Sequence, residues 1–523
     1  MLVVAVIALL TLLTAAVFRA GRALFAVRRS RPSPPRDADA AAPGSTGSTG
    51  GRPLSVALVV LGDIGRSPRM CYHADSLARH GFETRIVAHR GSKPPQTLLN
   101  RDHVRFDYLE TPLPWISALP KPLFLLFAPL KILLGAIGLY RTLASLRPAP
   151  AFLLVQNPPA IPTLAVVKTV AFFSGSRVVI DWHNTGYSVL ALRLGADHKA
   201  VSFARSYEHF FGRTAHAHLC VSDAMRSQLL KEARLKGTVV TLHDRPPASF
   251  RRLAPHESHE LFGRLPSLVS LNATTFANPD ADPAATLLTD PDGRDLPDRP
   301  ALVVSSTSWT ADEDFGILLD ALSEYERVAR LRSESSGAEG GKLRKVVVVI
   351  TGKGAGKRAF EEQVAVRERD EKWESVRVRT EWLEREDYPR LLGSADLGIS
   401  LHTSTSGIDL PMKVVDMFGC GLPVVALDFA CIGELVQDGR NGRTFKDSAG
   451  LAQLLVDLLP GTSPRAEPNA PLDRLRDGIR TTRYGGEGHE APWDNWDENW
   501  DRVVLPLLRA PRGVSDARRK KRD

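Results

Sequence analysis

Residues 406–425 read SGIDLPMKVVDMFGCGLPVV. Breakers bracket an apolar middle: Ser406-Gly407 opens it and Gly421-Leu422-Pro423 closes it. Val414, Val415 and Phe418 give a helix its inner face, while Asp409, Lys413 and Asp416 place charge at its start and along it. A helix N-terminus holds free backbone N–H groups and the positive end of the dipole, so it suits an anion. A carboxylate one to two turns in, such as Asp416, can accept from sugar hydroxyls. The turn at Cys420 then feeds a strand over 423–427. Taken alone, the pattern is a helix–strand unit of an α/β domain.

Outward from it, the same rhythm recurs. Residues 55–61 (SVALVVL) form a short apolar run, the mark of a buried parallel strand. The loop 62–70 (GDIGRSPRM) and a helix over 70–80, ended by Gly81, complete a strand–loop–helix opening. Doubly wound folds bind ligands at the carboxyl ends of their strands. Arg66 and Arg69 in that loop are either surface arginines or forked donors for a phosphate. Further strands are expected at 82–89, 152–156, 178–181 and 216–220, with helices over 202–212 and 222–232, the latter capped by Ser222. His183 and Asn184 lie at a strand's carboxyl end, just after Asp181 and Trp182. His183 is either a structural histidine or a group that takes a proton near neutral pH, with Asp181 orienting it or acting itself. Asp244-Arg245-Pro246-Pro247 marks the end of this first half.

The second half repeats the scheme. A strand over 301–305, a loop over 305–310 and a helix over 312–330 come first. Asp312 and Asp314 match a DxD metal pattern, but acids in a helix's first turn are explained by its dipole, and no metal site is assigned. A strand over 346–350 leads into Thr351-Gly352-Lys353-Gly354, where small residues allow close backbone approach and Lys353 offers charge to a phosphate. Strands over 376–380 and 397–401 flank a helix over 387–394, and 402–407 is the loop that delivers the stretch quoted first.

The 523 residues suit two globular domains with appendages. A formal net charge of +9 fits anionic substrates, a membrane surface or nucleic acid. No zinc-finger spacing or aromatic RNA-binding signature accompanies it, so no nucleic-acid partner is expected. Cys71, Cys220, Cys420 and Cys431 lack CxxC spacing, which argues against a disulfide framework or zinc site and fits a reducing compartment. Residues 2–18 are almost unbroken apolar and, with 20–27, long enough to span a bilayer. A cleaved signal peptide is the rival, weakened by the lack of a charged leader. Arg19, Arg22, Arg28, Arg29 and Arg31 follow the run and place that flank in the cytosol. Residues 112–143 are apolar, broken by prolines and spaced by Lys121, Lys131 and Arg141. They form either a core helix or a segment in the membrane interface, and the second is preferred.

The organising stretch resembles the nucleotide-sugar half of GT-B glycosyltransferases, in which an acid just before a Cys-Gly-x-Pro turn holds the nucleotide ribose. Asp416 takes that place, where Glu is more usual. More narrowly it resembles the β-1,4-mannosyltransferases that add the first mannose to dolichol-diphosphate chitobiose. Four further stretches match that family: 62–70 (GDIGRSPRM), 181–187 (DWHNTGY), 207–226 (YEHFFGRTAHAHLCVSDAMR) and 305–315 (SSTSWTADEDF). Several separated matches in one order are more specific than any single motif.

The resemblance implies an α/β, GT-B architecture: two Rossmann-like domains facing a cleft, behind an N-terminal transmembrane helix. The layout is an anchor over 1–27, a flexible linker over 28–53, an acceptor domain over 54–250, a connection with an inserted loop over 251–300 and a nucleotide-sugar domain over 301–460. A loop and C-terminal helix over 461–510 and a basic tail over 511–523 end the chain. The implied donor is GDP-mannose, the acceptor is dolichol-diphosphate-linked chitobiose, and transfer inverts the anomeric centre with no cofactor and no metal. Donor contacts are Ser306, Trp309, Gly352, Lys353, Gly354, Trp382, Ser406, Gly407, Asp409, Lys413, Asp416 and Glu434. Arg66 and Arg69 meet the acceptor diphosphate. His183 or Asp63 is the base, with Asp181 beside it. The resemblance also implies the endoplasmic reticulum membrane, with the catalytic body on the cytosolic side, and other mannosyltransferases of the pathway as partners. A different sugar or acceptor of the same pathway, or a catalytically silent GT-B subunit, are the competing readings.

Overall fold

The computed structural model describes residues 54–272, 276, 282–309, 313–334, 342–403, 407–461, 470–484 and 491–510. The expected anchor, linker and basic tail lie outside them, as do Ser406 and Asp312. The chain divides into two compact units, one up to Leu242 together with the segment from Trp500, the other His243–Asn499.

The first unit is built on a seven-stranded parallel sheet in the order β3-β2-β1-β4-β5-β6-β7. Its strands are β1 (Ser55–Asp63), β2 (Glu83–His89), β3 (Val104–Leu109), β4 (Phe152–Asn157), β5 (Arg177–Trp182), β6 (Thr214–Cys220) and β7 (Lys236–Thr241). Val56, Ala57, Leu58 and Val59 of β1 are fully buried. That is why the strand reads as an uninterrupted apolar run: helices cover both faces of a parallel sheet. The chain runs outward from β1 to β3, then returns to β4 and continues to β7. The reversal lies between the neighbours β1 and β4, and their carboxyl ends are where this fold class places its ligands.

The second unit carries a six-stranded parallel sheet in the order β10-β9-β8-β11-β12-β13. Its strands are β8 (Ala301–Ser306), β9 (Val346–Thr351), β10 (Val376–Glu381), β11 (Leu397–Ser400), β12 (Val424–Leu427) and β13 (Gly442–Phe445). Here the reversal lies between β8 and β11. The stretch quoted first becomes the helix Met412–Gly419 and the strand β12. Val414, Val415, Met417 and Phe418 pack into the unit's core. Asp409 therefore belongs to the loop before the helix rather than to its first turn.

Several elements differ from expectation. β3 and β7 are sheet-edge strands whose residues alternate between polar and apolar or begin with Lys-Gly, so they carry no apolar run. Helices also form at Thr163–Ser174 and Gly186–Leu194. Residues 112–143 are not broken at their prolines: a 3-10 turn at Pro114–Ala118 leads into one helix, Lys121–Ser145, that runs through Pro129. Residues 255–272, expected as a connecting loop, form helices Pro255–Arg264 and Pro266–Asn272, whose Leu261, Phe262, Leu265 and Leu268 fill the second unit's core. The region 461–492 likewise holds a helix, Pro471–Thr481, with Leu472, Leu475 and Ile479 buried. In both cases the apolar residues recur at helical spacing amid prolines and charges that masked them. Glu313 and Asp314 lie ahead of the first turn of the helix Phe315–Glu334, and Asp314 accepts from the Gly316 amide at 2.8 Å.

Candidate active site

At the carboxyl end of β5, Asp181 is fully buried and accepts from every side. Arg69, one residue into the helix Pro68–Arg79, donates Nη2–H to Oδ1 at 2.8 Å and Nε–H to Oδ2 at 2.9 Å. His73, one turn further along the same helix, meets Oδ2 through Nε2 at 3.2 Å. His183 meets it through Nε2 at 2.7 Å. Burial alone would raise the Asp181 pKa, but Arg69 and the two histidines outweigh it and hold the carboxyl well below the usual range. An ionised carboxylate only accepts, so both Nε2 atoms facing it carry protons. The third ring follows: the indole of Trp500 donates Nε1–H to His73 Nδ1 at 3.0 Å. Indole has no lone pair to offer, so His73 is the neutral Nε2–H tautomer, and burial favours the uncharged ring. His183, with its side chain 22% exposed, turns Nδ1 away from Asp181 as its remaining lone pair.

This arrangement corrects one expectation and decides between two others. Arg69 is buried, and besides Asp181 it donates to the Leu242 carbonyl at 2.9 Å, so it has no arm for an acceptor diphosphate. Of the two readings of Asp181, its contacts favour orienting His183: its oxygens already accept from Arg69, His73 and His183. Asp63, at the end of β1, is committed too. Its Oδ2 accepts from the Ser92 amide at 2.8 Å and its Oδ1 from the Gly65 amide at 2.9 Å. These bonds, the Ser92 amide first, lower its pKa and make it a poor base. Arg66 remains outward, its side chain 82% exposed, with Nε on the Ser92 hydroxyl at 3.2 Å. A further acid escaped the sequence reading. Glu208 is buried and accepts from Asn157 Nδ2 at 2.6 Å and from the Gly186 and Tyr187 amides at 3.1 and 3.2 Å. It thereby caps the helix Gly186–Leu194 and ties it to the end of β4, whose Asn157 carbonyl holds the His183 amide at 2.9 Å.

In the second unit, the loops after β8 and β9 are pressed together. A Cβ on Gly352 would lie 1.8 Å from the Thr307 carbonyl oxygen, and Gly352 has φ +146°. A Cβ on Gly354 would lie 2.3 Å from the Ser308 carbonyl oxygen. Only glycine fits either place. Trp309 donates Nε1–H to the Gly352 carbonyl at 3.2 Å while its ring packs on Phe315 and Phe360. It is thus a brace between the two loops. Lys353 lies 3.9 Å above the ring of half-exposed Trp382.

Lys413 pairs with Glu313. Glu313 is buried and also accepts from the Thr307 hydroxyl at 2.6 Å. In Asp312-Glu313-Asp314 the middle residue therefore reaches the site. Three residues along the same helix, Asp416 accepts from the Tyr388 hydroxyl at 3.3 Å, its one side-chain partner among the described residues, and that hydroxyl in turn accepts from Ser306 Oγ at 3.3 Å. Burial, and secondarily the Asp244 carboxylate, push the Asp416 carboxyl up to about 7 against the opposing Tyr388 bond. Gly407 has φ +73° in the loop, Asp409 accepts from Cys431 Sγ through its carbonyl, and Glu434 meets His243 Nε2 at 3.3 Å. The structure thus joins Ser306 to Asp416 and Trp309 to Gly352. Tyr388, Glu313, His73, Trp500 and Glu208 were missed. Only His73 had a legible signal: it follows Arg69 by four residues on one helix face.

Residues 65–244 match the family model described as "Glycosyl transferase 4-like domain", and residues 323–460 match "Glycosyl transferases group 1". A Mus musculus protein named "Chitobiosyldiphosphodolichol beta-mannosyltransferase" is 42% identical over 463 residues, covering 88% of this chain and 90% of the mouse protein. The chain belongs to the chitobiosyldiphosphodolichol beta-mannosyltransferase family. It is therefore a hexosyltransferase, with the glycosyltransferase domains its sheets build. An Arabidopsis thaliana relative, 40% identical over 88% of this chain and 98% of its own, is named "UDP-glycosyltransferase TURAN". Among solved structures, Anabaena HepE in complex with UDP and glucose superposes with a TM-score of 0.52 over 81% of this chain and 93% of its own, at 14% identity. That likeness carries the GT-B fold and no more.

Proposed function

We propose that this mannosyltransferase moves mannose from GDP-mannose to dolichol-diphosphate-linked chitobiose and inverts the anomeric carbon. The observation that carries the reading is the 42% identity along 88% of the chain to a relative whose name states that acceptor and the β linkage. The charged groups of both units support it. In the first unit, His183 Nδ1 takes the proton of the attacking hydroxyl while Asp181 holds the imidazolium that forms, and exposed Arg66 meets the acceptor diphosphate. The new C–O bond forms as the bond from the anomeric carbon to the diphosphate breaks. In the second unit, Lys353, Lys413 and the amides around Gly352–Gly354 and Gly407 take the charge that develops on the leaving diphosphate. Ionised Asp416 accepts from the ribose hydroxyls, and Asp409 and Glu434 from the hexose. The N-terminal apolar run anchors the enzyme in the endoplasmic reticulum membrane with its body in the cytosol.

The test is a transfer assay with the full chain in detergent, a phytanyl-diphosphate chitobiose acceptor, EDTA, and either GDP-mannose or a UDP-sugar. One added hexose from GDP-mannose, removable by a β-mannosidase, is the expected product. Transfer from the UDP-sugar alone, in line with the Arabidopsis relative's name, would reassign the donor. Product only after a divalent cation is added would refute the lysine-borne leaving group.

A further inference from the structure

In the first unit, one carboxylate locks the loop that leaves β1 to the loop that leaves β2. Asp63 ends β1 opposite His89, the last residue of β2, where the pairing register shifts. Its Oδ1 accepts from the Gly65 amide at 2.9 Å, in its own loop, and its Oδ2 from the Ser92 amide at 2.8 Å, in the next. The fit leaves no room for side chains. A Cβ on Gly91 would lie 2.4 Å from Asp63 Cγ, and one on Gly65 would lie 2.3 Å from the Ser92 carbonyl oxygen. Arg66 adds a bond from Nε to the Ser92 hydroxyl at 3.2 Å. Two loops from neighbouring strands thus form one ledge, at the carboxyl end of β1 and beside the reversal between β1 and β4.

The cations around this ledge are not equivalent. Arg69 is withdrawn onto Asp181 and the Leu242 carbonyl. Arg66 is exposed, but its Nε lies 3.6 Å from the Asp63 carboxylate, which offsets part of its charge. Arg90 is turned toward β3, its guanidinium 4.7 Å from the centre of the Tyr108 ring. Lys93 is exposed and pairs with no acid among the described residues. It directly follows Ser92, whose amide Asp63 holds, and it is followed by buried Pro94. Its backbone is therefore fixed on both sides while its stem stands in solvent. A lysine on a loose loop is ordinarily just a solvated end. Here the clasp brings it next to an arginine of another loop, and like charges held together repel unless an anion answers them. A diphosphate diester brings two negative charges, which Arg66 alone does not balance.

We propose that Lys93 is the second cationic ligand, with Arg66, of the diphosphate of the lipid-linked acceptor, and that Asp63 is the positioning residue that sets the two cations side by side. Arg66 forks onto one phosphate, and the Lys93 ammonium meets the other as a point charge. Asp63 touches neither the diphosphate nor the reacting hydroxyl. It acts through the Gly65 and Ser92 amides, and that is a different duty from the base expected of it. The inference rests on the proposed acceptor. The donor also brings a diphosphate, so the test separates the two sources.

The full chain in detergent is compared with Lys93→Ala, Arg66→Ala, that pair together, and Asp63→Asn alone and on the pair. Lys236→Ala, exposed on the edge strand β7, is the reference. Three quantities are measured: the KM for phytanyl-diphosphate chitobiose, the Kd for GDP-mannose, and calorimetric binding of phytanyl diphosphate and phytanyl monophosphate, which needs no transfer. Loss of one charge-assisted bond should raise the acceptor KM of Lys93→Ala roughly tenfold. Lys93→Arg should restore most of it, and Lys236→Ala should leave it unchanged. The parent should bind phytanyl diphosphate several-fold more tightly than the monophosphate, and Lys93→Ala should lose that preference. GDP-mannose affinity should stay level throughout. Asp63→Asn should raise the acceptor KM in the parent and add nothing on the pair, because the cations it places are already gone. A merely structural Asp63 would cost the same in both backgrounds, and a base would lower kcat instead. An unchanged acceptor KM in Lys93→Ala, with the parent active, overturns the proposal. So does a loss confined to GDP-mannose affinity, which would assign Lys93 to the donor. A parent that makes no product yet binds phytanyl diphosphate through Lys93 upholds the site and refutes only the proposed sugar acceptor.

Discussion

Asp416→Asn separates a carboxylate that binds the donor from one that only packs. Burial holds the Asp416 carboxyl up at about 7, with the Tyr388 hydroxyl as its side-chain partner. Ribose hydroxyls donate, so they favour the ionised form, and donor binding expels whatever proton the group carries. Apparent affinity then scales with the ionised fraction. With a pKa of about 7, GDP-mannose binds roughly 11-fold more weakly at pH 6 than its limit and ~1.1-fold more weakly at pH 8, a span of about tenfold. The diphosphate diester of the ligand does not itself titrate there. Calorimetric titration of the full chain without acceptor measures this directly. At pH 6, two buffers of different ionisation enthalpy should report close to one proton released per donor bound. Tyr388→Phe removes the bond that opposes the shift, so the midpoint should move to higher pH. Asp416→Asn should bind weakly and without slope. Linkage to stability has the opposite sense from a salt-bridged acid. Because the folded pKa is raised, stability falls as pH climbs from ~3.9 to about 7 and is level beyond. Asp416→Asn should therefore melt higher than the parent at pH 8 and no higher at pH 4. An affinity flat from pH 6 to 8 in the parent, or a slope that survives in Asp416→Asn, would refute the assignment.

Arg69→Ala leaves Asp181 buried with no guanidinium, and unfolding in denaturant should show a loss of ~3–5 kcal/mol. Arg66→Ala should raise the acceptor KM with an unchanged melting temperature, since its side chain is 82% exposed. Trp500→Phe keeps the volume and removes the N–H that fixes the His73 tautomer. His73 is then no longer held with Nε2–H on Asp181 in one arrangement, so kcat/KM should fall with the melting temperature little changed; a merely structural role would lower the melting temperature and leave kcat/KM of the folded enzyme unchanged. Lys413→Ala should cut kcat by ~10²–10³, as loss of one donor to a developing anion does elsewhere, measured at saturating donor; a change confined to KM would assign Lys413 to ground-state binding.

The sequence told most where burial is two-sided. β1, β8 and β9 are apolar runs because both faces of their sheets are covered, and each was placed within two residues. β3 escaped because a half-buried edge strand, VRFDYL, resembles a polar loop. The helices of 255–272 and 471–481 escaped because prolines and charges outnumber the few leucines that reach the core. In the first unit, the arginine read for an acceptor diphosphate, Arg69, is committed to Asp181. Nothing in GDIGRSPRM distinguishes Arg66 from Arg69. The difference arises because Arg69 enters a helix that faces β5, over a hundred residues later, while Arg66 stays in the loop. Tyr388 and Glu313 reach their partners only through packing of distant segments, which leaves no local signature.

The two aspartates at the centre of these sites show why environment assigns the duty. Both lie at or beyond carboxyl ends of parallel strands, and burial works against ionising either. Asp181 has a guanidinium forked onto both oxygens and two imidazole N–H groups besides, so its charge is fixed and its lone pairs are spent. It can hold a neighbour in place but cannot exchange partners. Asp416 has a tyrosine hydroxyl and a second carboxylate nearby, so its proton is weakly decided and it retains acceptor capacity. A group left short of donors can be completed by a ligand that brings two hydroxyls. The residue type is the same at both positions, so the difference between them lies in the donors around each. The same contrast separates Lys353, which among the described residues lies on the face of Trp382, from Lys413, already matched by Glu313. On the proposed reading, a diphosphate at the second unit would meet the Lys353 ammonium on an indole face and would share Lys413 with buried Glu313. On that reading Lys413 should contribute most when charge on the leaving oxygen is largest, in the transition state rather than in the bound donor, so that Lys413→Ala lowers kcat more than it raises the donor KM.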